Sequence, residues 1–181
     1  MKTSVKKAFL AVVVALSGAA GAGEVYFDAA GGMFFPGGGS SLRRGAAEAV
    51  LRAGAYAADD LAFEVSALSA PNVSSAARGH AAVSGASVDA LWHMFGYERF
   101  DPFLVAGAHS LFSSKHVFAD GARRTAFGPE AGIGFFYHLT DNASVRFDAR
   151  AAMLADGPCG MAYSVCGGLQ LSFGGGGAGM E

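Results

Sequence analysis

The chain alternates apolar residues with polar or small residues over much of its length after the first 22 positions. In the segment 163–173, apolar residues or glycine take the odd positions, and Ser, Cys, Gly and Gln take the even ones. In the segment 143–153, Arg146, Asp148 and Arg150 share one face, and the residues between them are apolar. A period of two places successive side chains on opposite faces of a β-strand, so the pattern predicts strands.

The alternation predicts eight strands in all. They are 25–29, 51–55, 61–67, 88–94, 102–112, 132–139, 143–153 and 162–173. Two of them are open to another interpretation. The Ala-rich segment 51–55 also suits a helix by propensity, and the sequence of 102–112 does not show which face is polar.

The first 22 residues form a separate unit that predicts export. Lys2, Lys6 and Lys7 precede the apolar run 8–16, and small residues occupy 20–22. A positive segment, a short apolar run and a small-residue cleavage site are features of a secretory signal peptide. We therefore expect a signal peptide over 1–22, a barrel domain over 23–173 and a Gly-rich tail over 174–181.

The composition places the predicted strands in a membrane. Apolar residues make up 52% of the chain and charged residues 15%, with 27 Gly and 15 Phe. No later segment has the roughly 20 continuous apolar residues that a membrane-spanning helix needs. Because only helices and closed barrels satisfy the backbone in lipid, the sequence predicts an all-β, eight-stranded antiparallel up-and-down transmembrane barrel. A soluble lipocalin-like barrel is disfavoured, since its polar face would have to lie outside.

The predicted connections alternate in length. Short ones lie at 58–60, 96–101 and 140–142, and long ones at 36–46, 69–83, 112–127 and 154–162. This rhythm is typical of bacterial barrels, which have short periplasmic turns and longer external loops. The long loops are mainly basic, and Arg pairs well with phosphate, although solvated loop charge is an equally good interpretation. The candidate contacts with lipopolysaccharide phosphates are Arg43, Arg44, Arg78, Lys115, Arg123 and Arg124.

Charged residues within the strands predict a second feature. An eight-stranded barrel has an interior that its side chains fill, and buried charges must be paired. We therefore expect a structural ion-pair network in the lumen. Its expected members are Glu48, Arg52, Glu64, Asp89, Glu130, Arg146, Asp148 and Arg150.

Aromatic residues predict where one membrane interface lies. Amphipathic rings favour the headgroup region, and several rings cluster near one short connection. We expect a girdle there, formed by Trp92, Phe95, Tyr97, Phe100, Phe103, Tyr137 and Leu139.

Three segments resemble a known family. Residues 101–108 (DPFLVAGA) look like the fifth strand of OmpA-type barrels, 128–148 like their sixth strand, turn and seventh strand, and 169–173 (LQLSF) like their closing strand. The chain is thus similar to OmpA-type and opacity-type outer-membrane proteins of Gram-negative bacteria. The resemblance implies a location in the cell outer membrane and insertion by the barrel-assembly machinery, which reads the terminal aromatic. Here residues 174–181 follow Phe173.

Two classes of function fit these expectations. The first is a structural or adhesin-like protein whose loops bind lipopolysaccharide, host or cell-surface ligands. The alternative is a lipid A deacylase-like enzyme of the outer membrane, or a small-solute porin. The close Ser/His neighbours are His109 with Ser110, and Ser113 and Ser114 with His116, and adjacent strand residues point to opposite faces. We therefore predict no catalytic residue. We also predict a monomer with no cofactor, metal site or nucleic-acid partner.

Cys159 and Cys166 leave a disulfide open. The cell envelope is oxidising, and a loop over 160–165 would allow a bridge. An extended strand there would separate the two residues by about 23 Å, at roughly 3.3 Å per residue. A bridge then fails, because it needs about 6 Å between the two Cα atoms.

Overall fold

The computed structural model describes residues 24–37, 42–75, 79–95, 99–116, 125–154 and 160–174. The predicted signal peptide, and the predicted tail after Gly174, lie outside these ranges. Regular structure within the ranges consists of β-strands. None of the described residues forms a helix long and apolar enough to cross a membrane.

Nine strands follow one another along the described chain. They are β1 (Val25–Pro36), β2 (Leu42–Arg44), β3 (Ala46–Ala58), β4 (Leu61–Ser75), β5 (Gly79–His93), β6 (Phe100–Ser113), β7 (Thr125–Thr140), β8 (Ala143–Leu154) and β9 (Gly160–Phe173). Strand β2 is a three-residue piece that Gly45 separates from β3, and it pairs with the end of β4. The helical interpretation of 51–55 is wrong, because this segment lies within β3.

The eight long strands close into an antiparallel up-and-down barrel, which confirms the predicted fold. Each long strand pairs with its neighbours in sequence, and β1 pairs with β9 to close the sheet. Val25 lies opposite Phe173 in this closing pair, so the start of β1 and the end of β9 meet at one rim. We call this end the turn rim, since it also carries the turns 59–60 and 141–142, and the opposite end the loop rim.

Side chains that point outward form an apolar belt around the barrel. Phe27, Leu51, Phe63 and Ile133 are all exposed, whereas the residue that follows each of them, on the other face of the strand, is charged or glycine. Such exposure is costly in water, because moving apolar surface out of water lowers the free energy. The belt is the surface expected of a barrel that faces lipid.

Five members of the predicted girdle face outward, as an interfacial position requires, and Phe103 does not. Exposed side chains near the turn rim include Trp92, Phe95, Phe100, Tyr137 and Leu139. Phe103 is completely buried and faces the lumen, as do Val105 and Leu111 on the same strand. The lumen contains apolar rings at this level, so an aromatic side chain on β6 can also face inward. Tyr97 lies outside the described residues.

The connections at the loop rim are shorter than predicted. Strand β4 continues to Ser75 and β5 begins at Gly79, so most of the predicted loop 69–83 is paired hairpin. Strand β7 begins at Thr125, and β9 begins at Gly160.

Inside the barrel, side chains form three layers from rim to rim. The layer toward the loop rim is apolar and includes Phe34, Val83 and Leu154. The middle layer contains the charged residues. The layer toward the turn rim is mainly aromatic and includes Tyr26, Phe103 and Phe136. The charged layer is thus enclosed between two apolar ones.

Candidate functional site: the charged layer of the lumen

Arg146 on β8 lies at the centre of the charged layer. Its Nη1 atom is 2.5 Å from Glu64 Oε2, and its Nε atom is 3.3 Å from Asp148 Oδ2. The guanidinium carbon lies 4.9 Å from the ring centre of Phe103 and 5.3 Å from that of Phe136. Arg146 is completely buried, so these anions and rings replace its hydration.

Arg150 joins four carboxylates. Its shortest contacts are 2.8 Å to Glu64, 2.8 Å to Asp89, 2.8 Å to Asp148 and 3.1 Å to Glu130. The planar guanidinium suits this role, because it presents five donors in a fixed arrangement. Arg150 therefore links strands β4, β5, β7 and β8 across the lumen.

Arg52 on β3 completes the set of arginines. It pairs with Asp28 on the adjacent strand, lies 3.0 Å from Asp148 and lies 3.8 Å from Glu64. Asp28 was not among the expected members of the network. The register shows why it belongs there, since Asp28 is directly opposite Arg52 in the β1–β3 pair.

Glu48 was expected in the ion-pair network, and that expectation is wrong. It is buried in the lumen but makes no ion pair with the described arginines; instead Ser164 Oγ and Cys166 Sγ donate hydrogen bonds to its Oε1 atom. The Cys166 Sγ–Glu48 Oε1 distance is 3.0 Å. Its Oε2 atom is buried without a hydrogen-bond partner in the described structure. The other seven expected residues lie together.

Cys166 is a buried free thiol, so the structure does not contain the disulfide considered from the sequence. Strand β9 is extended from Gly160 onward, which is the arrangement in which a bridge was expected to fail. Cys159 itself lies outside the described residues.

The structure describes only part of the expected lipopolysaccharide contacts. Arg43 and Arg44 lie on β2 at the loop rim, where the backbone alone is described. Lys115 follows β6, and its backbone N–H donates to Ser113 Oγ at 3.3 Å. Arg78, Arg123 and Arg124 lie outside the described residues. These six residues therefore stay a prediction.

Near the turn rim, four polar residues come together that the sequence analysis did not connect. His93 Nδ1 lies 2.6 Å from Asp101 Oδ2, and His138 Nδ1 lies 2.8 Å from Ser144 Oγ. His138 Nε2 is 4.0 Å from the same Asp101 oxygen. A signal was present, because His138 and Ser144 face each other across the hairpin turn at 141–142.

This arrangement resembles a Ser-His-Asp set in composition but differs in geometry. Asp101 is closer to His93 than to His138, and Ser144 is only 4% exposed. Catalysis by such a set needs a serine that a substrate carbonyl can approach and an acid that orients the histidine. The observed contacts instead connect strands β5, β6, β7 and β8. Among the described residues, this set included, no group of three His, Cys, Asp or Glu residues is arranged to hold a metal ion.

Solved structures share this architecture. Neisserial surface protein A has a TM-score of 0.62 at 20% identity, with 83% of this chain and 97% of that chain covered. The chain has the fold of an eight-stranded outer-membrane β-barrel. The N-terminal barrel of Pseudomonas aeruginosa OprF has a TM-score of 0.62 at 18% identity, covering 83% of this chain and 99% of its own.

Ail, the attachment invasion locus protein of Yersinia pestis, is also similar, with a TM-score of 0.58 at 14% identity and coverage of 83% and 99%. No protein-family model matches the sequence, and no curated protein does either. These similarities support the resemblance to OmpA-type and opacity-type barrels. At such low identities the support concerns the fold, and a fold does not determine an activity.

Proposed function

We propose that the protein is a non-conducting, non-enzymatic barrel of the outer membrane, whose loops present a surface for interaction. The charged layer of the lumen carries the first part of this proposal. Its three arginines are each at most 9% exposed, and they bind carboxylates from several strands. A conducting pore needs a wetted path, whereas these groups fill the narrow space with paired charge.

The energetics favour a closed lumen. Removing one partner from a buried ion pair costs about 3–5 kcal/mol, because the remaining charge is left uncompensated. A permeating ion would have to separate pairs such as Arg150–Asp89 and Arg146–Glu64. The apolar and aromatic layers on either side of the charged layer add a further barrier to water.

Conductance in planar lipid bilayers tests the closed lumen. The unmodified protein should show no steady channel above leak. Arg150→Ala should open a small, cation-selective conductance, because four carboxylates lose a shared partner and attract water. Arg99→Ala is the matched control, since Arg99 is exposed at the turn rim, and it should stay silent. A large conductance of the unmodified protein that replacement of Arg146 abolishes would contradict the proposal.

The interaction role is supported by basic residues in the loop-rim connections and by one structural neighbour. Ail has been solved in complex with sucrose octasulfate, a heparin analogue, which is a polyanion. Arg123 and Arg124 supply adjacent positive charges in the connection between β6 and β7. Arginine binds sulfate and phosphate oxygens well through its planar donors.

Binding to lipopolysaccharide micelles tests this role. Replacing both Arg123 and Arg124 by Ala should weaken binding about 30-fold, from about 1 kcal/mol per basic residue near an anionic surface. The Arg99→Ala variant again serves as the control, because it removes one positive charge at the opposite rim. An equal loss per charge removed in the two variants would show that net charge, rather than the loop, determines binding.

A further inference from the structure

The outer face of β5 has a polar end at the loop rim. Every second residue of this strand faces outward, and the outward series runs from His80 to Trp92. His80 is exposed, whereas the next residue, Ala81, is buried in the lumen. The outward residues between the two ends are small or apolar, namely Ala82, Ser84, Ala86, Val88 and Ala90. His80 therefore lies on the wall of the barrel rather than inside it.

The depth of His80 in a membrane follows from its distance to Trp92. Indole rings favour the headgroup level, so we expect Trp92 at the interface on the turn-rim side. About nine to eleven residues of tilted strand cross the hydrocarbon core of a bilayer. His80 lies twelve residues before Trp92 on the same strand, so it reaches the opposite headgroup layer. Short turns face the periplasm in bacterial barrels, so this layer belongs to the outer leaflet, which carries the phosphates of lipopolysaccharide.

The strand register places two more polar residues beside His80. Ser74 on β4 lies directly opposite His80, and Arg44 on β2 lies opposite Ser74. Directly opposed residues of antiparallel strands share a face of the sheet, so the three positions form a row on the outer surface. We call Arg44, Ser74 and His80 the wall row.

The charges near the wall row are basic. Just after β6, the Ser114 backbone N–H donates to the Ala82 carbonyl oxygen at 2.9 Å, so Lys115 and His116 follow next to the start of β5. Arg78, two residues before His80 in the chain, lies outside the described residues. The carboxyl groups that the structure describes lie in the lumen or near the turn rim. Phosphate has the complementary charge, and guanidinium, imidazolium and hydroxyl groups all donate hydrogen bonds to its oxygens.

We propose that the wall row binds a phosphate group of lipopolysaccharide in the outer leaflet, and that protonation of His80 strengthens this binding. Imidazole changes its charge between pH 5 and 8, whereas arginine stays charged throughout this range. Acidification therefore adds one positive charge to the row. The inference rests on the proposed interaction role, but its site is on the barrel wall and does not include Arg123 or Arg124.

Binding of fluorescently labelled lipopolysaccharide tests this inference on the refolded protein in uncharged maltoside micelles. The unmodified protein and His80→Gln are compared at the same pH, because the phosphates of lipopolysaccharide also change their charge near pH 6. At about pH 8 the two dissociation constants should agree within about twofold. At about pH 5.5 the dissociation constant of His80→Gln should be about fivefold higher, which is the effect of one basic residue near an anionic surface.

Further variants locate the contact. Arg44→Ala should weaken binding about fivefold at both pH values, because the guanidinium that it removes is always charged. His138→Gln changes a partly exposed histidine near the turn rim, and it should bind as the unmodified protein does at both pH values. In a background that carries Arg123→Ala and Arg124→Ala, His80→Gln should keep its pH-dependent effect.

Dephosphorylated lipopolysaccharide identifies the group that is bound. With this ligand, the unmodified protein and His80→Gln should bind equally at either pH. Three results would overturn the inference. They are equal affinities of the unmodified protein and His80→Gln for lipopolysaccharide at about pH 5.5, the same loss of affinity with the dephosphorylated ligand, and the same loss in His138→Gln.

The two sites can fail separately. A loss of affinity in the Arg123→Ala, Arg124→Ala variant, with none in His80→Gln at about pH 5.5, would support the loops and reject the wall row. A loss in His80→Gln alone would support the wall row and reject the proposed role of the loop arginines.

Discussion

Glu64 is the residue on which the charged layer converges. It accepts contacts from Arg146 at 2.5 Å, Arg150 at 2.8 Å and Arg52 at 3.8 Å. The hydroxyl of Tyr26 also donates to it, at 3.0 Å. Because Glu64 is completely buried, solvent cannot replace any of these contacts.

Glu64→Ala should therefore lower the free energy of unfolding by about 3–5 kcal/mol, the usual cost of leaving a buried charge without its partner. Urea unfolding in micelles, followed by tryptophan fluorescence, measures the change. Asp59→Ala in an exposed turn is the control and should stay within about 0.5 kcal/mol. A loss below about 1 kcal/mol at Glu64 would mean that the arginines find other partners.

The sequence predicted which charges face inward but not which of them meet. Alternation assigns Glu48 and Arg52 to the same face of β3. Four residues of strand nevertheless separate them by about 13 Å, so Glu48 lies at another level and contacts Ser164 instead. Asp28 and Arg52 meet because of the β1–β3 register, which periodicity alone does not give.

At the scale of elements, β4 shows why strand ends were harder to predict than strand centres. Ala70 and Val73 both face inward although they are three residues apart, because the register shifts between them. Such a bulge reverses the side-chain pattern. It contains Pro71 and Asn72, which are common in turns, so the sequence predicted a loop where the strand continues.

Close approach at glycine gives a prediction for β6. A Cβ atom added at Gly107 would lie 2.1 Å from Asp89 Oδ1 and 2.3 Å from the Val88 carbonyl oxygen. At Gly31 on β1, the nearest such atom is 3.8 Å away. Gly107→Ala should therefore destabilise the barrel by about 1–3 kcal/mol, the usual cost of overpacking.

The matched variant Gly31→Ala should leave stability unchanged or slightly raised, because alanine reduces the freedom of the unfolded chain. Urea midpoints of both variants in the same micelles provide the comparison. Equal effects at the two positions would indicate that strand propensity, rather than contact with Asp89, decides the outcome.

At the scale of the whole molecule, the architecture could be predicted because one rule recurs in the long strands. Outward positions between the rims are apolar, and inward positions at mid-barrel are polar or small. The partners of Arg150 had no such signal, since they come from several strands that only the closed sheet brings together. The ligands of the loops had no such signal either, because loop residues follow no regular alternation of apolar and polar positions.

The position of the barrel in a bilayer gives the last prediction. Trp92 is the single tryptophan of the chain, so its fluorescence reports one site without ambiguity. It is 56% exposed on the outer surface, and it pairs with Leu61, the first residue after the turn at 59–60. Indole rings favour the headgroup level of a membrane, so we expect Trp92 at the interface on the turn-rim side.

In reconstituted vesicles, quenchers attached to lipids near the headgroups should therefore reduce the emission of Trp92 strongly, and quenchers placed near the ends of the acyl chains should reduce it less. Iodide dissolved in the water phase should have little effect. Efficient quenching by iodide would show that this rim extends into water, and the apolar belt would then have to begin further along the strands.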